Sequence, residues 1–142
     1  MIKLIRTLPV MAFFCHFSIL VAQSPVSWYF DFKDNGEEVK VTATANIQKN
    51  WTMYSQHTED NGPVPTAFYI DDNKVVFSET SKVKKEFDKL FEVNVLKFKD
   101  KAEFVYTVKK GKKRSVSGVV QFMCCDNEKC LPPTDVPFNY SW

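Results

Sequence analysis

Apolar and polar side chains alternate with a period of two along most of the chain beyond residue 25. This period is typical of β-strands that turn one face to a core and the other to solvent. Four longer stretches show it and predict four such strands. The side chains that share a face within each stretch are Val26, Trp28, Phe30 and Phe32; Val39, Val41, Ala43, Ala45 and Ile47; Ala102, Phe104, Tyr106 and Val108; and Val116, Gly118, Val120 and Phe122.

Shorter segments complete the predicted β-structure. No stretch shows a convincing helical stripe, and the nearest, SKVKKEFDKLF at residues 81–91, is predicted to be an extended loop with one turn at most. The run KKGKKR at residues 109–114 is predicted to be a charged hairpin turn around Gly111. Further strand candidates are WTMYSQ, TAFYI, KVVFS, EVNVLKF and VPFNY. Eight or nine short strands separated by turn signals predict a single all-β domain, an immunoglobulin-like antiparallel β-sandwich.

Residues 1–22 have the composition of a secretory signal peptide. Lys3 and Arg6 precede an almost uncharged apolar stretch, which gives way to polar sequence at Gln23. The apolar stretch is short for a membrane span, so we predict cleavage near Ala22, with an uncleaved N-terminal anchor as the alternative. The mature domain would then comprise residues 23–142 and be periplasmic or secreted, in a compartment where disulfides persist.

The charge of the chain gives no reason to expect a nucleic-acid partner. Residues 1–22 contain two of the 19 lysines and arginines and none of the 17 acidic residues. The predicted mature domain is therefore balanced in charge, and it has no long basic run. We expect a monomeric domain that is large enough to bury its own core.

The segment FMCCDNEKCLPP, residues 122–133, holds three cysteines within seven positions. If Phe122 faces the core, strand alternation turns Cys124 inward and Cys125 to the opposite side, at the mouth of the next loop. Cys125 is then the natural partner of Cys130, because a short loop that folds back as a hairpin can bring two Cα atoms within disulfide range. We therefore predict a Cys125–Cys130 disulfide and a buried free thiol at Cys124.

Spacing alone leaves three roles open for this pair: a structural staple, a reactive dithiol or a metal site. A staple that closes so short a loop restricts the unfolded chain little. Zinc sites need four ligands, and His57 is the only histidine after residue 22. Copper(I) could be held by Cys125, Cys130 and Met123, but nothing in the sequence requires it. We therefore predict neither a metal nor a cofactor.

A resemblance to a known family favours the reactive dithiol. The segment VVQFMCCDNEKCLPPTDVPF resembles the active-site hairpin of the N-terminal periplasmic domain of DsbD, the thiol:disulfide interchange protein. The similarity extends to NWTMYSQ at residues 50–56, GPVPTAF at 62–68 and EFDKLFEVNVLKFKDKAEF at 86–104. It implies an immunoglobulin-like domain that passes reducing equivalents to thioredoxin-like periplasmic proteins by disulfide exchange.

The same resemblance assigns a role to each site residue. Cys130 is the exchanging thiol and Cys125 resolves the mixed disulfide. The family has a cap loop whose aromatic residue covers the disulfide until a partner displaces it, and this aromatic falls on Phe91, with Phe87 as the near alternative. The loop acid falls on Asp88, and Tyr54 corresponds to a tyrosine that lines the site. Without the resemblance, simple packing would explain these aromatic residues.

The sequence departs from the family pattern in two respects. Cys124 is an additional cysteine beside the pair, and the 142 residues include neither the membrane-embedded domain nor the thioredoxin-like domain of the complete interchange protein. The resemblance therefore predicts a separate membrane electron carrier of the DsbD/CcdA type, with cytochrome c biogenesis or disulfide reduction as the downstream task. The alternatives are a non-catalytic secreted β-sandwich that binds a ligand and carries a structural disulfide, and a periplasmic metal-binding module.

Overall fold

The structure is a computed structural model that describes residues 24–142. The predicted signal peptide, residues 1–22, lies outside the described residues. Within residues 24–142, no helix has the length and hydrophobicity needed to cross a membrane. The described residues form twelve strands: β1 (Val26–Asp34), β2 (Glu38–Ile47), β3 (Thr52–Tyr54), β4 (Ala67–Ile70), β5 (Asn73–Val75), β6 (Ser78–Glu79), β7 (Lys84–Asp88), β8 (Val93–Phe98), β9 (Lys101–Lys109), β10 (Ser115–Phe122), β11 (Cys124–Cys125) and β12 (Thr134–Ser141).

The strands form three four-stranded sheets, in which every neighbouring pair is antiparallel. The first sheet has the order β1-β2-β9-β6 and the second has the order β12-β10-β4-β5. The third, β11-β3-β8-β7, is smaller and carries two of the three clustered cysteines. The predicted all-β, immunoglobulin-like sandwich is confirmed.

The first two sheets enclose the main core. Trp28 of β1 meets Phe68 of β4 and Phe122 of β10 with ring centroids 6.0 and 5.6 Å apart. Phe30 of β1 stacks on Phe138 of β12 at 4.7 Å. These contacts join strands of opposite sheets, because the apolar faces predicted from alternation point toward each other. All five predicted inward positions of β2 are buried.

Gly118 of β10 makes room for an aromatic ring in this core. A Cβ atom at position 118 would lie 2.2 Å from Cζ of Phe138 and 2.6 Å from the carbonyl oxygen of Tyr69. Both distances are far shorter than van der Waals contact, so any side chain here would displace Phe138. Gly118 therefore lies on the predicted inward face of β10, where the ring of Phe138 from the neighbouring strand β12 occupies the space that a side chain would take.

The segment predicted to be an extended loop, residues 81–91, instead contains strand β7. It pairs with β8 over Lys84–Asp88, and the two strands form a hairpin. The loop prediction was wrong because residues 84–87 are all exposed, so no alternation of polar and apolar residues marks the strand. Main-chain pairing at a sheet edge forms it instead.

The predicted charged turn around Gly111 connects β9 and β10, as expected. Gly111 has a φ of 52°, a left-handed conformation that favours glycine. The lysines on either side form ion pairs: Lys110 with Asp34 at 2.6 Å, and Lys113 with Asp71. Two of the positive charges in this run are thus tied to neighbouring acids.

Candidate functional site

The clustered cysteines lie where the chain passes from one sheet to another. Strand β10 ends at Phe122 in the second sheet, and after Met123 the chain enters β11, which pairs with β3 in the third sheet. Cys124 lies opposite Met53 and Cys125 lies opposite Thr52. Two adjacent cysteines are therefore fixed by main-chain pairing at the junction between the main sandwich and the small sheet.

Cys125 and Cys130 form a disulfide, with an S–S distance of 2.03 Å and a Cα–Cα distance of 4.0 Å. The intervening residues fold back as a hairpin: the Asp126 amide donates to the Lys129 carbonyl, and the Leu131 amide donates to the Cys124 carbonyl, each at 2.9 Å. Cys124 is a buried free thiol. The pairing expected from strand alternation is present.

Asp126 stabilises the turn between the two bonded cysteines. Its Oδ1 accepts hydrogen bonds from the backbone amides of Glu128 and Lys129, both at 2.8 Å. These amides, that of Glu128 first, hold the pKa of the exposed Asp126 carboxyl below its usual range. The carboxylate therefore serves as an Asx-type cap for the loop that presents Cys130.

The two adjacent cysteines belong to different apolar clusters. Cys124 is 3% exposed and packs in the main core, whereas Cys125 is 1% exposed and packs with Tyr54 and Val95 in a second, small cluster. We call the latter the site cluster. Burial raises the pKa of the Cys124 thiol to about 11. The opposite orientations of Cys124 and Cys125 were predicted correctly. Cys125, however, is buried and is not exposed at the mouth of the loop.

Phe91 lies beside the site cluster that contains Cys125. It packs against the site cluster and meets Tyr54 edge to face, with ring centroids 6.4 Å apart and an interplanar angle of 87°. On its other side is the backbone of Gly62, where a Cβ atom would lie 2.9 Å from Cβ of Phe91. Half-buried Val93, Met123 and Cys130 also pack against the cluster.

A buried hydrogen bond joins the small sheet to the turn that carries Phe91. The Tyr54 hydroxyl donates to Oδ2 of Asp88 at 2.9 Å, and both residues are buried. The other carboxylate oxygen of Asp88 accepts from the backbone amides of Leu90 at 2.9 Å and Phe91 at 3.4 Å. Burial, with the Asp88 carboxylate second, raises the pKa of Tyr54, so its hydroxyl stays a donor over the ordinary pH range.

Phe87, the other aromatic candidate for the cap, points away from the site cluster. It is 56% exposed, and Leu90 near it is 42% exposed. Both line an open groove of about 560 Å³ that lies between the β7–β8 hairpin and the loop at Asp126 and Asn127. Lys97 also lines this groove and forms an ion pair with Glu86 at 3.5 Å.

The structure brings together most of the predicted site residues and adds two. Cys125, Cys130, Tyr54, Asp88 and Phe91 lie in one contact network, whereas Phe87 lies outside the site cluster. Sequence reasoning missed Val95 and Gly62. Alternation in EVNVLKF signals that Val95 is inward-facing, but no sequence signal places Gly62 against Phe91. Residues 24–142 contain no group of three or more His, Cys, Asp or Glu side chains placed to hold a metal ion.

The fold and the site define an immunoglobulin-like β-sandwich with a disulfide hairpin, and comparisons identify similar structures. The chain matches the N-terminal domain of DsbD from Neisseria meningitidis, solved in its reduced form, with a TM-score of 0.56 and 17% identity over 81% of this chain and 85% of that chain. It also matches the N-terminal periplasmic domain of ScsB from Proteus mirabilis, with a TM-score of 0.57 and 16% identity over 82% of this chain and 45% of that one.

Neither a protein-family model nor a curated protein sequence matches the chain. The two structural matches confirm the resemblance to DsbD N-terminal domains at the level of the fold. The identities of 16 and 17% lie in a range where fold is shared and function has to be argued from the site.

Proposed function

We propose that this protein is a periplasmic thiol:disulfide interchange module that passes reducing equivalents to thioredoxin-like proteins. The observation that carries the proposal is the Cys125–Cys130 disulfide on a short hairpin, packed in a small cluster with Tyr54 and with Phe91 against that cluster, in a fold shared with DsbD and ScsB N-terminal domains. A staple has no need of a dedicated cover, since it acts by closing a loop. A redox-active disulfide does need one, because access controls its rate of exchange.

In the reducing direction, the Cys130 thiolate attacks one sulfur of a partner's disulfide. A bond forms between Cys130 and that sulfur, and the other partner sulfur leaves as a thiolate. The Cys125 thiolate then attacks the Cys130 sulfur, which closes the Cys125–Cys130 disulfide and releases the partner as a dithiol. The partner gains two electrons and this protein loses two. The exposures support this order, because Cys130 is half-buried while Cys125 is 1% exposed.

Phe91 acts as the cap of this site in the proposal. Its ring packs on the site cluster between Tyr54 and Gly62. It belongs to a turn at the edge of the small sheet and not to the main core, so it can move without unpacking the sandwich. Tyr54 lines the floor of the site, and Asp88 organises the turn.

The cellular setting is part of the same proposal. The signal-peptide-like N-terminus and the likeness to the periplasmic domain of ScsB support export to the periplasm. A membrane electron carrier of the DsbD/CcdA type would regenerate the dithiol. Cytochrome c biogenesis or the reduction of misformed disulfides would consume the electrons.

Single-cysteine variants test the exchange reaction. Cys125→Ala, incubated with an oxidised thioredoxin-like protein, should accumulate a mixed disulfide through Cys130, since the resolving thiol is absent. Cys130→Ala should trap little, because the Cys125 thiol that it frees is buried. Non-reducing electrophoresis and peptide mapping measure both outcomes.

Equal trapping by both variants, or trapping through Cys125 alone, would overturn the assigned roles. Absence of trapping by either variant would favour a non-catalytic β-sandwich with a structural disulfide. Cys124 remains in both variants as an internal control, because a buried thiol of raised pKa should form no mixed disulfide while the protein is folded.

A further inference from the structure

The Asp88 carboxylate connects Tyr54, at the floor of the site, to the turn that carries Phe91. Asp88 ends strand β7, and its two oxygens point in different directions: Oδ2 accepts from the Tyr54 hydroxyl, and Oδ1 accepts from the backbone amides of Leu90 and Phe91. We propose that the Tyr54–Asp88 hydrogen bond is a latch that holds the Phe91 turn closed over the Cys125–Cys130 disulfide. The inference rests on the proposed function, since it explains how the cap of that site is kept in place.

The floor end of the latch is rigidly placed. Tyr54 lies on β3, which pairs on one side with β8 and on the other with β11, the strand that holds Cys125. The Tyr54 side chain is completely buried and packs in the site cluster beside Cys125. Its hydroxyl therefore has a fixed position relative to the disulfide, as a positioning group requires.

Apart from the main-chain pairing of β7 with β8, the cover end of the latch has few attachments. The four residues of β7 that precede Asp88 are all exposed, so the strand buries little apolar surface. The turn after it is closed by one backbone bond, from the Glu92 amide to the Asp88 carbonyl at 2.8 Å, and Glu92 adopts a φ of 58°. Segments with few buried contacts open most easily, so a buried hydrogen bond at this point should dominate the closure of the turn.

The geometry also explains why an acid is needed at position 88. A carboxylate has two oxygens and accepts several hydrogen bonds at once. Here it receives three, one from a side chain of the small sheet and two from the turn. A hydrogen bond to a charged group is stronger than a neutral one. Asp88 can therefore shape the turn and anchor it with the same side chain.

The rate at which dithiothreitol reduces the Cys125–Cys130 disulfide of the purified oxidised protein tests the latch. Tyr54→Phe removes the hydroxyl and keeps the ring, and it should accelerate reduction about fivefold, the change in an opening equilibrium when one hydrogen bond of ordinary strength is lost. Asp88→Ala removes the turn bonds as well and should accelerate it further. The double variant should equal Asp88→Ala, because the hydroxyl acts only through this carboxylate.

Two controls separate a latch from general loosening. Tyr29→Phe removes a hydroxyl from a tyrosine that is 64% exposed, and it should leave the rate unchanged. Hydrogen exchange of the Leu90 amide in native protein should speed up in Tyr54→Phe by the same factor as the reduction rate, if one opening exposes both. In the unmodified protein, exchange of the same amide should give the opening equilibrium against which the variants are compared.

The outcomes distinguish the latch from the cap and from the exchange function. If Phe91→Ala accelerates reduction while Tyr54→Phe does not, the latch is overturned and the cap stands. If Phe91→Ala has no effect either, both are overturned. Exchange with a partner is decided separately, by the trapping experiment. A Tyr54→Phe rate that rises without faster Leu90 exchange would also overturn the latch, because the disulfide would then be reached by another opening.

Discussion

Cys124 and Cys125 are neighbours in sequence, yet they belong to two regions built in different ways. The main core around Cys124 is closed on both sides by sheets and contains interlocked rings. The site cluster around Cys125 has three fully buried members, Tyr54, Val95 and Cys125, and part of its cover is a turn at a sheet edge. The buried aromatic members of the main core are Phe68, Phe77, Phe98, Phe104, Phe122 and Phe138.

Because the two regions are built differently, residues of the main core should determine the stability of the domain, and Phe91 should determine access to the disulfide. Removing a ring from the main core leaves a cavity that the surrounding sheets cannot fill. Under the proposed cap role, moving Phe91 should open a path to the disulfide and leave the sandwich packed, since Phe91 packs against the small cluster and not in the main core. The proposed redox site, which would have to be exposed to a partner, thus lies beside the stable core and not within it. Four substitutions and one matched control test this division, and the substitutions are ordered from the largest expected effect to the smallest.

Phe68→Ala should produce the largest loss of stability, about 3–5 kcal/mol. Phe68 is completely buried, stacks on Phe77 at 3.9 Å and contacts Phe104 at 5.1 Å between ring centroids. Urea unfolding measures the loss. In the fraction that remains folded, the rate of reduction by dithiothreitol should not change. A faster rate in folded Phe68→Ala protein would show that the main core, too, controls access to the site.

Phe91→Ala should change the rate of reduction strongly and the stability only modestly, the reverse of Phe68→Ala. We expect several-fold faster reduction of the disulfide and a modest stability loss of about 1–2 kcal/mol, because Phe91 is only half-buried. Both quantities are measured on the same preparation. Phe87→Ala is the matched control: it truncates the same residue type in the same hairpin, but this ring is 56% exposed and should affect neither quantity.

A stability loss of about 3–5 kcal/mol without a rate change would make Phe91 a core residue and not a cap. Gly62→Ala provides an independent test of the same contact. Its added methyl group would meet Cβ of Phe91 at 2.9 Å and should displace the ring, so reduction should be faster although no cap atom is removed. An unchanged rate in Gly62→Ala would mean that the turn shifts as a unit and still covers the disulfide.

The sequence was sufficient where one local pattern determines the outcome. Alternation located the long strands, and because it continues across Met123, it also predicted opposite orientations for Cys124 and Cys125 and hence the disulfide partner. It failed at β7, whose residues 84–87 are all exposed and held by main-chain pairing. The burial of Cys125 could not be predicted from alternation either, because the residues of its cluster and those packed against it, such as Tyr54 and Phe91, come from distant segments.

The choice between Phe91 and Phe87 shows the same limit. Both are aromatic residues near one charged run, and local pattern does not distinguish them. Resemblance to the family favoured Phe91, and the structure places Phe91, not Phe87, against the site cluster. The physical reason is the turn after Asp88, where the left-handed Glu92 reverses the chain and directs Phe91 back over β3. Such a reversal depends on contacts with Tyr54 that only the folded chain provides.

Cys124→Ala should have the smallest effect, about 1 kcal/mol or more of lost packing at neutral pH and an unchanged reduction rate. The effect should also depend on pH. Because burial raises the pKa of folded Cys124 to about 11, above the roughly 8.5 of a free thiol, the contribution of the protonated thiol to stability is complete below about pH 8.5 and is lost as the pH rises toward 11. The stability difference between the unmodified protein and Cys124→Ala should therefore shrink between pH 8 and pH 10. Comparing urea midpoints of the two proteins at each pH cancels the contribution of Tyr54, which both retain. A difference that stays constant across this range would mean that Cys124 titrates normally and is not enclosed in the main core.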